Sequence, residues 1–68
     1  MSLEIWTVYD HPLDHPNMWV ARKWILDQPT GIMLAATTLD GLRQMLPEGL
    51  FMMPRQEGDD PVIVETWL

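Results

Sequence analysis

The sequence predicts an α+β domain: a mainly antiparallel sheet of about four strands in the order β-β-α-β-β, with one short helix on one face. Three observations predict this fold. Strand-forming residues fill two runs near each end of the chain, a helical apolar stripe lies between them, and turn residues separate the runs. With 68 residues, the chain is expected to form a single domain over residues 1–68.

The first two strands are predicted at residues 4–9 and 18–26, which are rich in aromatic and β-branched residues. Alternation in the second run places Trp19 on one face and Trp24 on the other. Residues 10–17 are expected to form an ordered loop, because each proline in them disfavours helical geometry at the residue before it. The two strands and this loop predict a broad hairpin.

A short helix is predicted at residues 38–46. It follows a turn at residues 27–31 and a stretch, residues 32–36, that is either a short strand or an extended approach to the helix. Thr37 is the expected N-cap, with Asp40 in a weak variant of the capping box. A proline directly after the helix ends it. Its apolar stripe consists of Leu39, Leu42, Met45 and Leu46.

The last two strands are predicted at residues 50–53 and 62–68, joined by a polar turn at residues 57–61 into a hairpin. Pro54 gives the first of them an early end or an edge position. Both faces of the predicted strands carry large apolar groups, and one short helix covers only one face. The second face is therefore expected to meet another copy of the chain or another protein, unless long loops fold over it.

The charge limits the possible partners. Ten acidic residues stand against four basic ones, the net charge is −6 and the isoelectric point is about 4.4. Nucleic-acid-binding domains usually carry a basic patch, and anionic membranes attract basic segments, so neither partner is expected. No apolar run approaches the ~20 residues of a membrane helix. The N-terminus shows no secretory signal, and a cytoplasmic location is predicted.

A homo-oligomer, most simply a dimer, is predicted from the composition. Hydrophobic residues make up 47% of the chain, and there is no cysteine. Domains of this size without disulfides or metal commonly depend on oligomerisation. The dimer is expected to use the helix-free sheet face, with Trp19 and Trp67 in it; a heterologous protein partner is the other option. Tryptophan is enriched at interfaces, although core packing is the alternative role. The candidate interface residues are Trp6, Trp19, Trp24 and Trp67.

The tripeptide Asp-His-Pro occurs twice, at residues 10–12 and 14–16, and holds both histidines. Two imidazoles and two carboxylates are a possible first shell for zinc or iron, and a histidine beside a carboxylate also suits acid–base chemistry. The alternative is that each tripeptide is only a turn, with the aspartate oxygen bonding backbone N–H groups. The candidate metal ligands are Asp10, His11, Asp14 and His15.

No catalytic residue and no cofactor is predicted. The chain has no cysteine, no phosphate-binding glycine loop and no nucleophile elbow. An enzyme is therefore the less favoured class.

The pattern Tyr9-Asp10-x-Pro12-x-Asp14-x-Pro16, followed by Val20-x-Arg22-x-Trp24, resembles a signature of small bacterial and phage-encoded proteins that have no assigned activity. The resemblance covers residues 5–26; Leu46-Pro47-x-Gly49-Leu50 is similar but unspecific. It implies no binding residues. A phage association implies an accessory or host-directed interaction role.

The function expected from the sequence is therefore a small non-enzymatic interaction protein that acts as a homodimer. One alternative is a metal-binding or acid–base enzyme centred on the Asp-His-Pro repeat. A second is an acidic inhibitor that mimics a nucleic acid.

Overall fold

The computed structural model describes residues 3–55, 58 and 61–68. Within them the five strands form one antiparallel sheet in the order β3-β2-β1-β5-β4. The α+β class is as predicted, and the sheet has one strand more than the expected number of about four. The elements, in chain order, are β1 (Glu4–Asp10), β2 (Trp19–Ile25), β3 (Gln28–Ala36), α1 (Leu39–Met45), β4 (Met52–Pro54) and β5 (Ile63–Trp67).

The additional strand is β3. The turn before β3 is shorter than the predicted turn at residues 27–31, because Gln28 already pairs with Ile25 of β2. Leu26 makes this tight reversal with a φ of 56°, in the left-handed region. Pro29 belongs to the strand because β3 lies at the edge of the sheet, where a residue without an N–H is tolerated.

The turn-like residues of β3 form a bulge opposite Lys23. The Thr30 hydroxyl donates to the carbonyl oxygen of Lys23 at 2.9 Å and accepts from the N–H of Ile32 at 3.2 Å. Gly31 supplies the φ of 78° that the irregularity requires. The glycine and threonine therefore interrupt a strand, whereas the sequence pattern suggests a turn between two elements.

The helix and its N-cap both begin one residue later than predicted. Thr38, not Thr37, is the N-cap: its backbone is extended and its Oγ1 accepts from the N–H of Gly41 at 3.0 Å. A Cβ at position 41 would lie 2.9 Å from this Oγ1. The glycine thus leaves room for the capping hydroxyl, which explains why a poor helix former is present. The helix ends before Pro47, as predicted.

The core lies between α1 and one face of the sheet. Leu42 of the helix and Leu46 at its C-cap pack against buried side chains of β1 and β2. Leu39 also contacts this cluster, but Met45, the remaining member of the predicted stripe, is exposed. The buried cluster consists of Trp6, Val8, Ala21, Leu42 and Leu46.

The predicted C-terminal hairpin is confirmed, with β5 also pairing with β1 at the centre of the sheet. Leu50, expected in the strand, packs against the core instead. Phe51 and Leu68 exchange backbone hydrogen bonds of 2.8 and 3.1 Å and extend the ladder. Of the turn predicted at residues 57–61, residues 57, 59 and 60 lie outside the described residues.

Candidate functional site

The sheet has a second face that α1 does not cover, called here the helix-free face. Val20 on this face is fully buried, Pro29, Met33 and Met53 are exposed, and its other side chains are half-buried. Most of its members are apolar, so the face is a candidate contact surface, although only a few of its side chains are exposed. By the strand register, the face consists of Ile5, Thr7, Tyr9, Val20, Arg22, Trp24, Pro29, Met33, Ala35, Met53, Ile63 and Thr66.

Charge is sparse on the helix-free face. Arg22 is its only charged member, and the Arg22 Nη2 donates to the Asp14 carboxylate. The Arg22 guanidinium also lies over the Tyr9 ring, 5.9 Å from its centroid. The other charged strand residues fall on the opposite, helix-covered face. They are Glu4, Asp10, Lys23 and Glu65.

The four tryptophans do not share one surface. Trp6 lies in the core, and Trp19 and Trp67 pack against it on the helix-covered face. The expectation that Trp19 and Trp67 lie in the helix-free face is wrong, because the strand register places both side chains on the same face of the sheet as Trp6. Trp24 alone belongs to the helix-free face. Its indole N–H is buried and has no acceptor among the described residues.

The loop that carries the Asp-His-Pro repeat is built of successive turns. The N–H of His15 donates to the Pro12 carbonyl at 2.9 Å, and the N–H of Met18 donates to the His15 carbonyl at 3.2 Å. Pro12 is buried and anchors the first turn, while Leu13 at its corner is fully exposed. These bonds support the interpretation of the repeat as turns.

The aspartates of the repeat bond to side chains, whereas the turn interpretation expects them to bond backbone N–H groups. The Asp10 carboxylate bonds to Nδ1 of His11, whose ring makes an edge-on contact with Trp19 at 5.2 Å between centroids. The Nε2 of His15 lies 3.9 Å from the Asp14 carboxylate, which Arg22 already engages.

The four candidate metal ligands thus form two separate Asp–His pairs. The part of the chain that the structure describes includes all four, and within it no group of three or more His, Cys, Asp or Glu side chains could hold a metal ion.

Sequence reasoning missed a buried carboxylate on the helix-covered face. Glu65 is only 3% exposed. Its Oε1 and Oε2 accept from Nη2 and Nε of Arg43 at 2.6 and 3.2 Å, and Oε2 also accepts from the Trp67 indole. The hydrogen bond to Glu65 is the largest effect that raises the pKa of Arg43.

The signal for this group was a lone acid within the apolar strand β5, two residues from a tryptophan. Both carboxylate oxygens are engaged, so the arrangement joins helix to sheet.

No protein-family model, curated protein or solved structure matches this chain. Among the described residues, no helix has the length and apolar character needed to span a membrane.

Proposed function

We propose that this protein is a non-enzymatic interaction protein of the cytoplasm that acts as a homodimer, with the helix-free faces of two copies in contact. The observation that carries the proposal is the mainly apolar helix-free face with one charged residue, Arg22, which is already paired. Exposed apolar side chains on a sheet face often mark protein contact sites, and Met33 and Met53 are exposed on this one. The resemblance of the N-terminal pattern to phage-encoded proteins supports an accessory role.

Charge favours this face for contact between two copies. Each copy carries a net charge of −6, so identical surfaces with unpaired carboxylates repel each other. On the helix-free face the strands present no carboxylate, and Asp14 at its border is neutralised by Arg22. Two copies can therefore meet here without opposing like charges, and their half-buried apolar groups lose contact with water.

The sheet edges are poor alternatives for association. The edge strands β3 and β4 each contain a proline, Pro29 and Pro54, which cannot donate a backbone hydrogen bond to an added strand. Contact between the helix-free faces of two copies is therefore favoured over pairing of their sheet edges.

Met52 and Met53 allow a matched test. They are neighbours on β4 and are 47% and 40% exposed, but the register places Met53 on the helix-free face and Met52 on the opposite one. We expect the native chain to show the mass of a dimer in light scattering over a concentration series. Met53→Glu should weaken the dimer at least ~10-fold, since it places two carboxylates in the contact.

Met52→Glu is the control for the added charge and should dimerise like the native chain. A native chain that stays monomeric at all concentrations would contradict the proposal. Equal weakening by the two substitutions would show that net charge, and not this face, decides association.

A further inference from the structure

The edge strand β4 carries two exposed methionines. Methionine is among the residues most often buried in proteins, but Met52 and Met53 are 47% and 40% exposed. An exposed thioether is open to oxidants, which convert it to a polar sulfoxide that reductases can return to methionine. The consequence of oxidation at each position depends on what its side chain covers.

Met52 lies directly opposite Trp67 of β5 on the helix-covered face. Phe51 and Leu68, the next pair along the ladder, exchange both of their backbone hydrogen bonds. Because hydrogen-bonded and non-hydrogen-bonded pairs alternate in an antiparallel ladder, Met52 and Trp67 form a non-hydrogen-bonded pair, whose side chains stand closer together. A thioether beside an aromatic ring is a favourable contact. Met52 therefore flanks Trp67, which itself packs against the core.

Among the described residues, few other side chains hold β4 in place. The three residues of β4 are all exposed, and the strand pairs only with β5. Leu50, before the strand, packs against the core, whereas Phe51 is 78% exposed. Elements with few buried apolar contacts open at a low cost in free energy. The contact of Met52 with Trp67 is therefore a main part of the apolar support of this strand.

We propose that Met52 is a redox-sensitive site, at which oxidation to the sulfoxide loosens β4 from β5. Hydrogen peroxide is the oxidant: the sulfur lone pair attacks one peroxide oxygen, the O–O bond breaks and an S–O bond forms. The hydroxide that leaves takes the proton of the sulfur-bound oxygen, so the products are the sulfoxide and water. Sulfur is oxidised by two electrons and the peroxide is reduced. The new polar oxygen loses hydration if it stays against the Trp67 ring, which favours release of the side chain into water.

This inference is independent of the proposed homodimer. Met52 lies on the face opposite the helix-free face, so its thioether is accessible in a monomer and in a dimer formed through that face. Met33 and Met53 belong to the helix-free face, and the dimer would shield them. Failure of either proposal therefore leaves the other standing.

Peptide mapping after treatment with dilute hydrogen peroxide measures where the chain is oxidised. Met52 should form the sulfoxide several-fold faster than Met18, which is half-buried. Amide hydrogen exchange then reports on the strand: the amides of Phe51 and Leu68 should exchange about 3-fold faster or more in the oxidised protein, in line with the strength of a thioether–aromatic contact. Treatment with methionine sulfoxide reductases should restore the native exchange rates.

Two variants assign the effect to one side chain. Met52→Leu keeps an apolar group opposite Trp67 without a thioether, so peroxide should no longer change these exchange rates. Met53→Leu, at the neighbouring position, is the matched control and should still show the acceleration. The inference is overturned if Met52 is oxidised no faster than Met18, if the oxidised native chain exchanges at the native rate, or if peroxide accelerates exchange in Met52→Leu as much as in the native chain.

Discussion

Glu65 of β5 accepts two hydrogen bonds from the guanidinium of Arg43 in the last turn of α1, at 2.6 and 3.2 Å. Because the carboxylate is buried, removing its cation leaves an uncompensated charge in the core. We expect Arg43→Met to lower the free energy of unfolding by about 2 kcal/mol, below the range for fully buried pairs because Arg43 itself is partly exposed. Urea denaturation measures the loss.

Two variants make that test specific. Arg43→Met combined with Glu65→Gln should recover much of the stability, since the amide removes the buried charge and keeps an acceptor for the Trp67 indole. Asp40→Ala, which removes the exposed carboxylate 3.8 Å from Arg43, should change stability by less than ~0.5 kcal/mol. If Asp40→Ala costs as much as Arg43→Met, burial of Glu65 is not the cause.

The Arg43 contribution should be independent of pH over the ordinary range. The bond to Glu65 raises the folded-state pKa of Arg43 above its already high unfolded value. A raised pKa gives stability that is fully present below the unfolded pKa and is lost only as pH rises through the folded one. Between about pH 6 and 10 the guanidinium stays charged, so its deprotonation should not change the free energy of unfolding in this range. A pH-dependent change in that free energy that NMR traces to titration of Arg43 would contradict the prediction.

Gly41→Ala should fail to give the usual benefit of alanine in a helix. That change normally stabilises a helix by ~1 kcal/mol, but here the new Cβ would lie 2.9 Å from the capping Oγ1 of Thr38. We expect no gain, or a loss of about 1 kcal/mol as the cap is displaced. In a Thr38→Ala background the same change should stabilise; identical effects in both backgrounds, measured by thermal unfolding, would refute the steric argument.

Leu26→Asn should stabilise the protein by roughly 0.5–1 kcal/mol. Leu26 has a φ of 56°, which asparagine adopts more readily than leucine. The exposed side chain has little packing to lose, and the bond from its N–H to the Leu3 carbonyl, 3.0 Å, involves only the backbone. A lower melting temperature than native would show that the leucine packs favourably in that turn.

Chelation should leave the protein unchanged if the Asp-His-Pro repeat only forms turns. His11 and His15 each pair with the preceding aspartate in separate contacts. Protein purified without a histidine tag should keep its mass in light scattering and its unfolding midpoint after treatment with EDTA. Loss of the dimer or of the fold would instead make these histidines ligands of a metal.

The sequence pattern predicted most elements because alternation and helical spacing mark them directly. It offered residues 32–36 as a possible strand but missed the start of β3, because Pro29 and Gly31 usually indicate a turn. The edge position of the strand permits the proline, and a bulge uses the glycine. The existence of a helix-free face was predicted, but its residues were not. Trp19 and Trp67 were placed on the wrong face, because only their pairing with β1 decides which face each side chain lies on. Glu65 is marked in the sequence only as a lone acid in an apolar strand, and its partner Arg43, 22 positions away, could not be identified from local pattern.

The strand order also sets when folding can finish during synthesis. β1, made first, is the central strand, and one of its two neighbours is β5, made last among the described elements. Until residue 67 leaves the ribosome, β1 has one open edge, and the core lacks Val64 and Trp67. Such an unpaired edge invites wrong pairing. The nascent chain should therefore remain sensitive to protease until β5 emerges, and then become protected in a single late step.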